Sequence, residues 1–139
     1  MVVVPPHLKG RFTYAVLTAE LTRGGIDARR EDGAVLLVLW TDVVGVVARR
    51  APPELDAIPF VDIVSEAGAT LRILPWTRLT GDVVEADGVA RARALVKLVR
   101  ERRAGVEIDP ATLVFLLGTE PPPQLRDPAM LAAHDAKLA

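Results

Sequence analysis

The chain has 139 residues, with 17 basic and 18 acidic side chains that give a formal net charge of -1. This balance argues against a generally basic surface for nucleic acid and against a polyacidic tail. The absence of cysteine excludes disulfides, thiolate metal sites and thiol nucleophiles. Because 50% of the residues are hydrophobic, we expect one globular domain with a large core.

The first residues carry no recognisable targeting signal. Met1–Val4 is apolar, but Pro5 and Pro6 follow directly and no basic segment precedes it. A secretory signal has a longer apolar region. The longest apolar run, 34–48, is interrupted by Asp42 and is too short to cross a bilayer. We therefore expect a cytoplasmic protein without membrane insertion.

The first segment after the N-terminal residues has the alternation of a β-strand. Apolar and polar residues alternate over Leu17–Thr22, and threonine suits a pleated strand. A helix over Phe12–Arg23 is the alternative, because Phe12, Val16 and Ala19 would share one of its faces. The threonines favour the strand.

Two glycine-containing turns separate the next strands. Gly24-Gly25 precedes the alternating segment Ile26–Arg29, and Asp32-Gly33 is typical of a type I′ hairpin turn. The segment that follows, Ala34–Trp40, is continuously apolar. Such a run is typical of a strand covered on both faces, so it predicts a central strand.

Further strands are predicted up to residue 76. Val43–Ala48 resumes after Thr41-Asp42, with Gly45 as the expected site of a bulge or of a close approach to the backbone. Phe60–Glu66 and Thr70–Trp76 then predict a second hairpin. Closely spaced strands with a turn signal between each pair are typical of a sandwich or barrel.

The second hairpin predicts one charged pair. Val61 and Ile63 alternate with Asp62 in the first arm, and Arg72 lies between two apolar residues in the second. Pairing of the arms would therefore place Asp62 opposite Arg72 on the face away from the core. As a surface pair it would contribute less than about 1 kcal/mol.

The spacing becomes helical after residue 81. Gly88–Ala104 predicts an amphipathic helix that starts from Asp82–Glu85 or from Asp87, with Gly105 as its C-terminal cap. Its predicted buried stripe consists of residues at steps of three and four: Val89, Ala92, Leu95, Val96 and Val99.

The region 105–139 predicts a helical extension of the domain formed by 1–104. Asp109-Pro110 begins a short helix that ends before Gly118, and Asp127-Pro128 begins a last helix through Leu138. We expect this extension to pack either on the same domain or on a neighbouring molecule.

This order of elements resembles the bacterial pleckstrin-homology-like (PH-like) barrel domain over residues 12–104. The likeness is carried by Asp32-Gly33, by Leu39–Val43, and by Phe60–Trp76 followed by Leu95–Arg102. The resemblance implies an α+β, mainly β fold. That fold is a bent antiparallel sandwich or barrel of six to seven strands, capped by one amphipathic helix, here with short C-terminal helices added.

The resemblance transfers no functional residue to this chain. PH-like domains that bind phosphoinositides carry spaced basic residues across the first hairpin, around a long loop. Here the turn is the short Arg23-Gly24-Gly25, with only Arg29 and Arg30 beyond it. We therefore do not expect phosphoinositide binding.

Candidate catalytic residues are few. Ser65 is the sole serine, and the histidines His7 and His134 lie near opposite ends of the chain. On one strand Asp62 and Glu66 would be about 13 Å apart, too far for a paired-carboxylate site. We expect no metal, no cofactor and no enzymatic activity. A small enzyme that uses scattered carboxylates is kept as an alternative.

The helix 88–104 is the most basic segment of the chain. It carries six basic residues against Glu101 alone, which suits a solvated face or a contact for an anion or nucleic acid. The absence of interleaved aromatic residues disfavours nucleic acid. The candidate anion contacts are Arg93, Lys97 and Arg100 on the helix, with Arg49 and Arg50 at a strand end.

The two tryptophans, Trp40 and Trp76, lie at the ends of strands. Indoles in such places form core corners or anchor a protein contact. Met130 and Leu131 on the last predicted helix are further candidates for that contact.

Strong strand and core signals with few catalytic side chains predict a non-enzymatic protein-binding or self-assembly module. Its expected ligand is a protein partner or a second copy of the chain.

Overall fold

The computed structural model describes residues 12–30, 32–50, 59–82, 86 and 88–123. The predicted last helix with Met130, Leu131 and His134 lies outside these residues, as does His7. The described elements, in chain order, are β1 (Phe12–Ala15), β2 (Thr18–Leu21), β3 (Gly25–Arg29), β4 (Val35–Leu39), β5 (Val43–Arg50), β6 (Pro59–Ser65), β7 (Ala69–Ile73), β8 (Arg78–Gly81), α1 (Gly88–Arg102), β9 (Glu107–Ile108) and α2 (Pro110–Leu117).

The strands form two sheets. Sheet I has the order β1-β7-β6-β5-β9, and sheet II has the order β4-β3-β2-β8. The expected α+β, mainly β class is confirmed, and within the described residues the two sheets do not close into a barrel.

The sheets are mixed rather than antiparallel. β1 is followed closely by β2, and β7 is followed by β8 after a turn in which the backbone N–H of Thr77 donates to the carbonyl of Leu74 at 3.0 Å. β1 pairs with β7 in sheet I and β2 pairs with β8 in sheet II, both in parallel. The two stretches of chain therefore run in the same direction through both sheets. A third parallel pair joins β5 and β9.

Most predicted strands and turns are confirmed. The ambiguous segment Leu17–Thr22 contributes strand β2, and Asp32-Gly33 lies in the turn between β3 and β4. The pairing of β5 with β6 shifts register between Val43 and Gly45, as the predicted bulge requires.

The prediction of a central strand at Ala34–Trp40 is wrong. β4 is the edge strand of sheet II, and alternate side chains along it are exposed. The doubly covered position belongs to β5, which lies between β6 and β9 and is buried along nearly all of its length. An unbroken apolar run does not distinguish a buried strand from an edge strand whose outer face is also apolar.

Helix α1 covers the inner side of sheet I. Of its predicted stripe, Ala92, Leu95, Val96 and Val99 are buried, while Val89 is partly buried. The helix packs on β5 and β6 and joins one continuous core with the inner faces of both sheets. Gly105 follows it with a positive φ of 82°, which is the expected C-terminal cap conformation.

The described part of the C-terminal region packs on its own domain. β9 extends sheet I beside β5, and α2 follows with Asp109 at its N-terminal cap position and Pro110 in its first turn. Pro123 accepts a hydrogen bond from the backbone of Arg50 at 2.8 Å. Neither α1 nor α2 has the length and apolar character that a membrane span requires.

Candidate protein-binding edge

Among the described residues, the outer edge of β4 presents backbone groups that no strand of the sheet pairs with. The backbone N–H of Arg30 donates to the carbonyl of Ala34, and the backbone N–H of Trp40 donates to the carbonyl of Gly24. These bonds fix the alternation of the antiparallel ladder, so every even-numbered residue from 34 to 40 points its backbone toward β3. The N–H and C=O groups of Val35, Leu37 and Leu39 therefore point away from the sheet.

The same three residues form an apolar row on the outer face of sheet II. Val35, Leu37 and Leu39 are 54%, 67% and 45% exposed. Their neighbours on this face belong to β2 and β3 and include no large apolar side chain. Glu20, Asp27 and Arg29 are charged and exposed, and the others are Thr18 and Gly25. The apolar character is thus confined to the edge strand.

Nothing within β4 protects this edge. Proteins usually guard an edge strand with a charge, a proline or a bulge, because free backbone groups invite pairing with another chain. The strand is Val-Leu-Leu-Val-Leu and contains none of these devices. Long apolar edges of this kind are used to add a strand from a partner.

A groove of about 490 Å³ lies beside the free edge of β4. One wall is Val35–Val38, and the other consists of the turn between β6 and β7 together with Leu71. Ser65 lies in this second wall. Its hydroxyl is buried and has no hydrogen-bond partner among the described residues.

Two carboxylates mark one end of the groove. Asp42 and Glu66 are both exposed and both line it. The backbone N–H of Glu66 donates to the carbonyl of Asp42 at 2.7 Å, which holds the two residues together. Since Asp42 comes three residues after Leu39, the acidic end is the end at which β4 finishes.

The structure separates the residues that the sequence suggested for a protein contact. Of the two roles expected for Trp40, the core corner is confirmed and the protein contact is wrong. The residue is buried directly after β4, and its indole N–H donates to the carbonyl of Thr22 at 2.7 Å. Trp76 is 62% exposed, but it lies between β7 and β8 rather than beside β4. The row Val35, Leu37 and Leu39 was missed, because a central strand was expected there.

The candidate anion contacts do not form one patch of free cations. Lys97 and Arg100 are exposed on α1. Arg93 donates to the carbonyls of Phe115 and Glu120 and stacks on the ring of Phe115.

The two candidates at the end of β5 are engaged within the chain as well. Arg50 donates through its Nε atom to the carbonyl of Pro122 at 2.6 Å. The prediction that Arg49 contacts an anion is wrong, because its side chain is fully buried and cannot reach an anion at the surface. An apolar run followed by Arg-Arg does not show which of the two arginines turns inward.

Arg49 is part of a buried polar network that joins α2 to sheet I. It donates to the carboxylate of Asp109 at 2.5 Å, to the hydroxyl of Thr112 at 3.1 Å and to the carbonyl of Ala48 at 2.8 Å. Thr112 donates to Asp109 and accepts the backbone N–H of Ala48. Asp109 therefore binds side chains instead of capping the backbone of its helix.

The predicted cross-strand pair of Asp62 and Arg72 is confirmed. The two residues are opposite in register, and two hydrogen bonds of 2.9 Å join the guanidinium to the carboxylate. Its expected surface position is wrong, since Asp62 is only 6% exposed and Arg72 also stacks on Phe60. Burial alone would lower the pKa of Arg72, but the charge and hydrogen bonds of Asp62 outweigh it and raise that pKa.

The described residues contain no group of three His, Asp or Glu side chains that could hold a metal ion. Comparison of the chain with protein-family models, curated proteins and solved structures gives no significant match.

Proposed function

We propose that this protein is a non-enzymatic protein-binding or self-assembly module whose contact surface is the free edge of β4. The observation that carries the proposal is the coincidence of two features at Val35, Leu37 and Leu39. Their backbone groups point outward from the ladder, and their side chains are the large apolar ones on a face that is otherwise charged, hydroxyl-bearing or glycine in the described part of sheet II.

Strand addition explains both features together. An extended partner segment on β4 would take up the outward N–H and C=O groups and cover the apolar row in a single step. The buried charges support a structural rather than a catalytic role for the acidic residues, because Asp62 and Asp109 are each paired with an arginine.

The scaffold that we propose is PH-like. Its support is the order of elements: a meander of β2, β3 and β4, a second meander of β5, β6 and β7, and then α1 packed on β5 and β6. The parallel pairs of β1 with β7 and of β2 with β8 are additions to the antiparallel sandwich that the resemblance implies.

The experiment tests β4 by removing one backbone donor. Leu37→Pro deletes an N–H that the β3–β4 ladder does not use, and proline is tolerated on an edge strand when its nitrogen faces solvent. Leu37→Thr is the matched control, because it shortens the same side chain and keeps the donor. The probe is the neutral synthetic peptide Ac-TVTVTV-amide, with binding followed by calorimetry and the mass of the protein by light scattering.

The proposal predicts that wild type and Leu37→Thr bind the peptide or self-associate, and that Leu37→Pro does neither while it keeps the far-ultraviolet circular dichroism spectrum. Two results would overturn it. One is a wild-type protein that stays monomeric and binds no strand peptide, and the other is full binding or self-association by folded Leu37→Pro.

The alternative of an anion-binding helix has less support. Lys97 and Arg100 are exposed, but the other three candidate contacts are hydrogen-bonded within the chain. Nothing on the described surface of α1 favours this function over the β4 edge.

A further inference from the structure

We infer that the groove beside β4 binds an extended apolar segment of a partner protein with a lysine or arginine at the end that lies beside Asp42 and Glu66. This inference rests on the proposed function and names the chemistry of its ligand.

The walls of the groove favour a single extended segment. The free edge of β4 forms one side, and the turn between β6 and β7 stands on the other. A second folded copy that paired through its own β4 would bring its own β6–β7 turn close to the contact between the two strands. The β6–β7 turn of the first copy already lies there. A single strand brings no such turn with it, and the groove's volume of about 490 Å³ lies within the range of about 300–1,000 Å³ that is usual for ligand-binding clefts.

The lining of the groove selects for an apolar segment. Leu36, Val38 and Leu71 are among its lining residues, and so are Ala67 and Ala69, whose side chains are small. In a strand added to β4, alternate side chains would face these residues, and the others would lie beside the exposed row. Ser65 supplies one hydroxyl whose hydrogen-bonding capacity is unused among the described residues.

The charge of the groove selects for a cation at one end. Asp42 and Glu66 are its only charged lining residues among those described, and both are acidic. They lie where β4 finishes, so a segment that runs antiparallel to β4 begins beside them. Antiparallel pairing is the more stable arrangement per residue, and it places the cationic residue at the N-terminal end of the bound segment.

The test uses three synthetic peptides on the full chain at low ionic strength, where exposed charges are least screened. They are Ac-KVTVTV-amide, Ac-EVTVTV-amide and Ac-VTVTVK-amide. One exposed ion pair changes affinity by up to about fivefold. With attraction in one peptide and repulsion in the other, the first should bind about tenfold more tightly than the second. The third, whose lysine is at the wrong end, should bind more weakly than the first.

Two variants assign this preference to the carboxylates. In the double variant Asp42→Asn and Glu66→Gln, the ratio between the lysine and glutamate peptides should fall to about one. Asp32→Asn is the matched control, since Asp32 is an exposed acid in the turn at the opposite end of β4. It should leave the ratio unchanged.

The outcomes separate this inference from the proposed function. Equal binding of all three peptides, abolished by Leu37→Pro, would overturn the charge preference and leave strand addition standing. A dimer that Leu37→Pro dissociates and that no peptide displaces would make a second copy the occupant, again against this inference alone. Binding of no peptide, without self-association, would overturn both.

Discussion

Replacement of Asp109 by leucine should destabilise the domain severely, because it leaves the buried charge of Arg49 without its counter-ion. The side chain of Arg49 is fully buried, and only one of the three described acceptors of its guanidinium is a carboxylate. Loss of that carboxylate leaves a cation in the core with two neutral oxygens, and its Nε already has no hydrogen-bond partner among the described residues. Breaking a buried pair from one side costs about 3–5 kcal/mol, a large part of a typical stability of about 5–15 kcal/mol.

The measurement is the free energy of unfolding from urea titration of wild type, Asp109→Leu, Arg49→Met and the double variant. We expect the double variant to be clearly more stable than Asp109→Leu alone, because the stranded charge is gone. Asp82→Asn is the control. It breaks the exposed pair with Arg102 and should cost less than about 1 kcal/mol. The reasoning is refuted if Asp109→Leu costs no more than this control, or if the two single losses simply add in the double variant.

Three further predictions concern the scaffold, each checked by the same urea titration. Asp62→Ala should cost about 2 kcal/mol, since it leaves the half-buried Arg72 without its two charged hydrogen bonds; a loss below 0.5 kcal/mol, on the order of the surface value, would contradict this. Gly81→Ala should cost more than Gly33→Ala, because both have positive φ but only the former would press a Cβ into a strand carbonyl; equal losses would count against it. Trp40→Phe should cost about 1 kcal/mol for its indole hydrogen bond, and an unchanged midpoint would show that this bond adds nothing.

Local patterns predicted the elements well, because they depend on neighbours along the chain. The buried stripe of α1 follows from steps of three and four, and the opposition of Asp62 and Arg72 follows from the period of two in each arm of the hairpin. The turn at Asp32-Gly33 and the bulge near Gly45 likewise require only local chemistry.

Positions within the tertiary structure were not predictable in the same way. An apolar strand has the same sequence pattern whether it lies at the centre of a sheet or at its edge. For this reason β4 and its exposed row were assigned to the core. The two arginines that end β5 show the same limit, because only the packing of α2 decides that Arg49 is buried beside Asp109. The parallel pairs arise from contacts between segments more than fifty residues apart, which no local pattern records.

Amide hydrogen exchange at Leu37, resolved by nuclear magnetic resonance, tests the central claim most directly. The account predicts that without peptide the N–H of Leu37 exchanges quickly, while those of Leu36 and Val38, which face β3, exchange slowly. Saturating Ac-KVTVTV-amide should then slow exchange at Leu37 by at least about tenfold, as a new strand hydrogen bond would. An N–H at Leu37 that is already slow in the free monomer, or that is unchanged when the peptide is bound, would contradict the claim that the free edge of β4 is the binding surface.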